Sequence, residues 1–486
     1  LPPARDGQQP AREIPPDDPP AEATLQRELI DGVVQSSAAT GRAHARFLDL
    51  SRELQTDFST AFQLHNELLA KGLAEAGRDP ASLRFPTRKT PPGDADPPAF
   101  SRELCMEFAV GSAARVLGPE FAPLDSYPVR VRLPDAPLML VDRIIRVSGE
   151  KGSLTAGRVV TEHDVQPGAW YLDGGRAPVC IALEAGQADM FLCSYLGIDF
   201  KVKGERAYRL LDATVTFHRH LPRPGETVRY EIAIDKFIRQ GATYLFRFRF
   251  EGYIGDARLI TMTNGCAGFF TPEETAHSGG ILESDLAPAV PEIPAQPLGD
   301  PLVPLGREAY RAEQVDALRR GDAAACFGGH FTGIELPQNL RLPDGPMKLI
   351  HRILELDPRG GMYGRGLVRA EADVHPDDWF LTCHFVDDPT MPGTLMYECC
   401  AHTLRVLLLR QGWITPRGDV GYEPVPGVHS VLKCRGPVTP ATRRVVYEVH
   451  VHTQGFRPEP FVVADAVMYA DGHRIVHFKD MAMGMP

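Results

Sequence analysis

Two stretches of the chain repeat one order of apolar runs and turn residues. In the first, Ala213–Phe217, Thr227–Ile234, Ala242–Phe250 and Ala257–Thr263 are rich in Val, Tyr, Phe and Ile and partly alternate. In the second, Ser430–Cys434, Arg444–Thr453, Phe461–Tyr469 and Arg474–Phe478 do the same. Turn signals such as Pro224-Gly225 and Asp471-Gly472 separate them, so each run predicts a strand. Ahead of the second set, Thr394 to Leu409 is apolar without alternation and long enough for a buried helix, which Pro392-Gly393 punctuates at its start. One central helix plus a strongly bent antiparallel sheet per set, an α+β arrangement, is the simplest architecture. Two such sheets joined edge to edge would cover an edge that one copy leaves open. Upstream, residues 24–76 place Phe47, Leu50, Leu54, Phe58 and Phe62 on one stripe at three- and four-residue steps, which predicts an N-terminal helical segment.

The two stretches are an internal repeat. Arg132-Leu133-Pro134-Asp135-Ala136-Pro137 returns as Arg341-Leu342-Pro343-Asp344-Gly345-Pro346, and Arg143-Ile144 as Arg352-Ile353. At the same offset Trp170 falls on Trp379. After a gap, Pro178-Val179-Cys180-Ile181-Ala182-Leu183-Glu184 falls on Pro392-Gly393-Thr394-Leu395-Met396-Tyr397-Glu398, so both copies carry the acid. Only the second carries His384. The matching segment of the first, YLDGGRAP, is too short for the loop CHFVDDPTM and holds Arg176 but no His. Pro-rich stretches then divide the chain: a linker of disordered composition at 1–23, the helical segment at 24–76, a linker at 77–98, the first repeat at 99–275, a linker at 276–308, and the second repeat at 309–486.

Composition narrows the function. The chain has 486 residues, of which 43% are hydrophobic, enough for two or three real cores. A net charge of −11 argues against a nucleic-acid surface. Nine scattered cysteines lack metal-ligand spacing and fit a reduced, cytoplasmic setting. No apolar run is long enough to span a membrane, and residues 1–20 lack the pattern of a signal peptide. Leu1 in place of an initiating Met reads as a piece of something longer.

The segment CHFVDDPTMPG, followed by an apolar helix with an acid fourteen positions after the His, resembles the active-site segment of the β-hydroxyacyl-acyl-carrier-protein dehydratases. PVCIALEA of the first repeat is similar to the same helix start. The fused pair behind a Pro-rich linker and a helical segment looks most like the dehydratase region of a polyunsaturated fatty acid synthase. The resemblance implies a double hot dog and a site shared between repeats, in which His384 of the second faces Glu184 of the first. Glu398 then faces a vestigial pocket without a base, and Glu184 ranks ahead of it as proton donor. Dehydration needs a base at C2 and an acid for the departing C3 hydroxyl. His suits the first task, and a desolvated Glu that keeps its proton suits the second. Backbone N–H groups at the helix start, where Gly393 permits close approach, would meet the developing enolate charge.

The resemblance further implies no metal and no organic cofactor. Its partners would be an acyl carrier protein bearing a phosphopantetheine-linked acyl chain and other domains of a synthase. It leaves open enoyl isomerisation and pairing of two chains as a homodimer. The competing readings are a hot-dog thioesterase, which directs water with a carboxylate, and a non-catalytic docking module. Glu184 paired with Arg176 as a plain salt bridge, Tyr397 and Cys383 as pocket walls, and Cys383 as a thiol nucleophile are the alternatives at the level of residues.

Overall fold

In the computed structural model, residues 98–286 and 303–486 are described. The predicted helical segment at 24–76, the linker 1–23, nearly all of the linker 77–98 and the middle of 276–308 lie outside the described residues.

Each repeat begins with two short helices that the apolar pattern did not predict. These are α1 (Arg102–Val110) and α2 (Ala113–Leu117) in the first repeat. A strand pair, β1 (Arg143–Ser148) and β2 (Gly157–Asp164), follows, and then the central helix in two pieces, α3 (Val179–Glu184) and α4 (Asp189–Tyr195). Four long strands complete the repeat: β3 (Ala207–Phe217), β4 (Thr227–Gln240), β5 (Thr243–Ile254) and β6 (Ala257–Phe270).

The second repeat opens with β7 (Glu308–Tyr310), α5 (Ala312–Arg320) and α6 (Ala323–Phe327). It continues through β8 (Arg352–Asp357), β9 (Leu367–Asp373), α7 (Trp379–Cys383) and the central helix α8 (Gly393–Arg410). It ends with β10 (Glu423–Pro424), β11 (His429–Cys434), β12 (Arg444–Gly455), β13 (Phe461–Ala470) and β14 (His473–Gly484).

Strand order makes the repeat physical. One antiparallel sheet runs β1-β2-β4-β5-β6-β3-β11-β14-β13-β12-β9-β8-β7, with β10 added beside β14. The halves join where β11 pairs with β3, Val431 opposite Thr214 and Leu432 opposite Ala213. This is the predicted edge-to-edge junction, and it leaves neither inner edge open. Each half wraps its own helix, so the chain is a double hot dog. Every residue of α8 from Thr394 to Arg410 is buried, as a helix apolar on most sides must be. The first helix breaks after Glu184, and just beyond the break Gly186 passes so close to Phe250 that a Cβ there would lie 2.7 Å from the ring.

Matched contacts sit at matched places. Trp170 Nε1 donates to the Pro137 carbonyl at 3.2 Å and Trp379 Nε1 to that of Pro346 at 2.9 Å. The two indoles meet edge to face, 4.7 Å between centroids. Arg143 bridges Glu162 and Asp164 across β1 and β2, and Arg352 bridges Glu371 and Asp373 across β8 and β9. All nine cysteines are buried, unpaired thiols.

Candidate active site

His384 caps the C-terminal end of α7, and the loop it begins is tied down by the other repeat. Arg209 of β3 donates to Asp388 Oδ1 at 2.9 Å, Arg132 pairs with Asp387, and the Asp135 amide donates to the Cys383 carbonyl at 2.8 Å. Within the loop, the Thr390 amide donates to the His384 carbonyl at 2.7 Å. The acidic pair of the loop therefore anchors it rather than reacting.

The ring is oriented by one bond. His384 Nδ1 donates to the Thr390 carbonyl at 2.8 Å, since a carbonyl only accepts, and this leaves the lone pair on Nε2. Nε2 lies 3.7 Å from Glu184 Oε1, and both side chains are buried, 12% and 6% exposed. Glu184 Oε2 in turn accepts from Thr394 Oγ1 at 2.6 Å. Burial lowers the imidazole below its ordinary range, which favours the neutral ring. A cavity of about 70 Å³ opens in front of the pair, lined also by Gln187, Met190, Tyr208 and Gly393.

Gly393 is the first residue of α8, with no protein atom nearer than 3.7 Å to a Cβ placed on it. Its small size is thus not demanded by the protein around it and leaves room on the cavity side. The first amides of a helix have no partner inside it and carry positive partial charge.

Glu398 lies elsewhere. It lines a second cavity of about 40 Å³ and accepts from the Cys180 amide, at the start of α3, at 3.0 Å. His402, one turn along α8, approaches Glu398 at 3.3 Å and Asp173 at 3.7 Å, and Arg405 binds Asp173. No His of the first repeat faces Glu398 among the described residues. An imidazole is present, on the same helix as the acid rather than across from it. Burial opposes its charge, but contacts with Asp173 and Glu398 outweigh burial and raise it above its ordinary value, which favours the charged form beside the two acids. The Arg176 guanidinium pairs with Glu423, not with Glu184. Arg176 also donates to the Asp419 carbonyl at 2.7 Å, which draws the segment after α8 over this cavity.

Of the remaining candidates, Tyr397 lines the second cavity. Cys383 is 1% exposed, and burial pushes its thiol up to about 12, which removes it as a nucleophile at neutral pH. Sequence reasoning missed Thr394 and Thr390. Thr390 acts through its carbonyl, which leaves no side-chain signature. Thr394 follows the Pro-Gly start directly and was legible as a hydroxyl at a helix N-terminus.

Together the sheet and the two helices define a double hot dog, with His384 and Glu184 brought together between its repeats. A family model described as a FabA-like domain matches residues 133–263 and 342–479, more than half of the chain, and the chain belongs to that family. It is 35% identical over 375 residues to a polyunsaturated fatty acid synthase subunit of Thraustochytrium sp., covering 75% of this chain. The chain spans about a quarter of the length of that relative, 25%. Among solved structures, the dehydratase domain from the CurJ module of curacin polyketide synthase aligns at 8% identity and TM-score 0.35, over 71% of this chain and 96% of that one. The 12:0-ACP thioesterase from Umbellularia californica aligns at 11% identity and TM-score 0.34, over 68% and 94%.

Proposed function

We propose that the chain dehydrates β-hydroxyacyl thioesters carried on acyl carrier protein, within a synthase that makes polyunsaturated fatty acids. The observation that carries this reading is the 3.7 Å separation of His384 Nε2 and Glu184 Oε1, two groups supplied by different repeats and facing one cavity. Nε2 takes the C2 proton. Glu184, acting as a carboxylic acid, gives its proton to the C3 hydroxyl, the C3–O bond breaks, and water leaves as the C2–C3 double bond forms. The proton on His384 then returns to the Glu184 carboxylate, which the short separation favours.

The enolate charge that develops on the thioester oxygen meets the first amides of α8, with Gly393 leaving space for the thioester. Thr394 keeps one oxygen of Glu184 occupied, so the other is presented to substrate. These steps use groups of the chain itself. The carrier and the synthase context are inferred from the likeness to the Thraustochytrium synthase, which this chain matches over 375 residues. Glu398 takes no part, because the Cys180 amide and His402 of its own helix already hold its carboxylate.

The test is His384→Ala, assayed in the hydration direction on an enoyl thioester, with free acid measured in the same reaction. The reading expects turnover to fall by about three orders of magnitude, within the range general base catalysis and positioning together supply. Unchanged hydration would sink it. Release of free acid that survives His384→Ala but not Glu184→Gln would point to a thioesterase.

A further inference from the structure

The two repeats carry the same irregularity in the same three strands. In the first, β4 slips register between Ile234 and Lys236, β5 between Phe248 and Phe250, and Asn264 of β6 takes a left-handed backbone, φ 55°. In the second, β12 slips between Val451 and Thr453, β13 between Ala464 and Ala466, and Asp480 of β14 also takes φ 55°. The residues at these places are Asp235, Arg249 and Asn264 in one repeat, and His452, Asp465 and Asp480 in the other. A bulge re-aims its side chain, so bulges on three adjacent strands bring three side chains together.

The two trios differ in chemistry. In the first repeat Arg249 and Asp235 form an ion pair, so the trio supplies its own cation. In the second no member of the trio is an arginine or lysine. Two carboxylates and an imidazole converge instead, with donor atoms within 4.8 Å of one another. His452 Nε2 lies 3.1 Å from Asp480 Oδ1 and 3.8 Å from Asp465 Oδ1. Donors bound tetrahedrally at about 2.0–2.2 Å stand roughly 3.3–3.6 Å apart, so this spacing brackets that of a metal centre.

Outer contacts hold each group in a ligating pose. His452 Nδ1 shares a hydrogen bond with Thr453 Oγ1 at 3.0 Å, and donation from Nδ1 leaves the Nε2 lone pair facing the acids. Tyr363 donates to Asp465 Oδ2 at 2.7 Å, and the Asp480 amide to Asp465 Oδ1 at 3.0 Å. Such partners fix the orientation of metal ligands. The side chains of His452 and Asp465 are 3% and 5% exposed, while that of Asp480 is 26% exposed, which leaves one side open to water. A further imidazole stands close by. His477 pairs in register with Val467, two residues along β13 from Asp465, and its buried Nε2 has no hydrogen-bond partner among the described residues.

We propose that His452, Asp465 and Asp480 bind one divalent transition-metal ion, with water completing the shell, and that the ion ties β12, β13 and β14 together. A mixed imidazole and carboxylate set suits Zn²⁺ and its neighbours rather than Mg²⁺, which prefers an all-oxygen octahedron. None of the three lines either cavity, so the role is structural and stands apart from dehydration.

The test is calorimetric titration of the whole chain, stripped by a chelator, with Zn²⁺ alone and in parallel with Mg²⁺. One Zn²⁺ site is expected, with a higher melting temperature on Zn²⁺ addition and no comparable response to Mg²⁺. Asp480→Asn should weaken Zn²⁺ binding by tenfold or more and abolish the thermal response, since losing even a hydrogen-bond partner of a ligand weakens a metal site about tenfold. The variant should keep its fold, because Asn264 already occupies the matching left-handed position in the first repeat. Stoichiometric binding that is unchanged in both Asp480→Asn and His452→Gln, equal affinity for Mg²⁺, or no Zn²⁺ uptake at all would overturn the proposal. The last result would leave His452, Asp465 and Asp480 as a hydrogen-bonded polar cluster without an ion.

Discussion

Thr394, the second residue of α8, donates its hydroxyl to Glu184, the last residue of α3, at 2.6 Å. The start of one repeat's helix thus holds the acid from the other. Removing that bond with Thr394→Val keeps the shape of the side chain but frees Glu184 to rotate. The expected outcome is a fall of roughly tenfold in kcat with little change in KM, about the 1.4 kcal/mol that a hydrogen bond to a carboxyl contributes. Steady-state kinetics on a soluble enoyl thioester check it.

The pH dependence follows from the state of His384. Burial holds its imidazole below the ordinary value, with Glu184 opposing. The base form therefore persists at pH values where a free imidazole, with a pKa near ~6.5, would already be protonated. The acid limb of kcat/KM, which reports the free protein, should fall only below pH ~6.5. A limb centred above that value contradicts the assignment.

The second cavity predicts a stability effect without a catalytic one. Arg405, 4% exposed at its side chain, pairs with Asp173 and donates to the Arg341 carbonyl at 2.6 Å. Arg405→Leu takes from the Asp173 carboxylate the closer of its two basic partners and leaves His402, a loss of about 3 kcal/mol, the low end of the range for breaking a buried pair. Denaturant melts should show it, while turnover per folded molecule stays near that of the parent chain.

His402 adds a pH term of known sign. Its value is raised in the folded chain by Asp173 and Glu398, so its contribution is fully present below the unfolded value near ~6.5 and is lost as pH rises through the raised folded value. His402→Gln should remove that alkaline decline. A melting temperature that falls equally with rising pH in both proteins argues against the ion cluster.

Much of this was legible from the sequence, and the parts that were not share a cause. The strands after each helix carried enough Val, Tyr and Phe to be read, and the repeat showed through Trp170 and Trp379. β1 and β8 escaped because Arg143, Arg146, Arg352 and Glu355 interrupt their apolar runs, and only the sheet shows that Arg143 and Arg352 pair across to Glu162 on β2 and Glu371 on β9. The paired short helices α1–α2 and α5–α6 are too brief for a period to declare itself. The close approach of Gly186 to Phe250, beside the break after Glu184, is a tertiary contact that no local pattern announces. At the site, His384 and Glu184 were readable as residue types placed by a repeat. The orienting bond to the Thr390 carbonyl and the arrival of Asp173 beside His402 and Arg405 were not, since backbone acceptors and cross-repeat partners have no local signature.

The central claim is that His384 works with the acid of the other repeat rather than with the one in its own helix. Glu184→Gln and Glu398→Gln, compared for hydration of one enoyl thioester and scaled to folded protein, test it most directly. The account predicts a loss of two to three orders of magnitude for Glu184→Gln, the scale of a removed general acid, about 10²–10⁴-fold, and near-parent turnover for Glu398→Gln. The opposite ranking, with Glu398→Gln inactive and Glu184→Gln active, would contradict it.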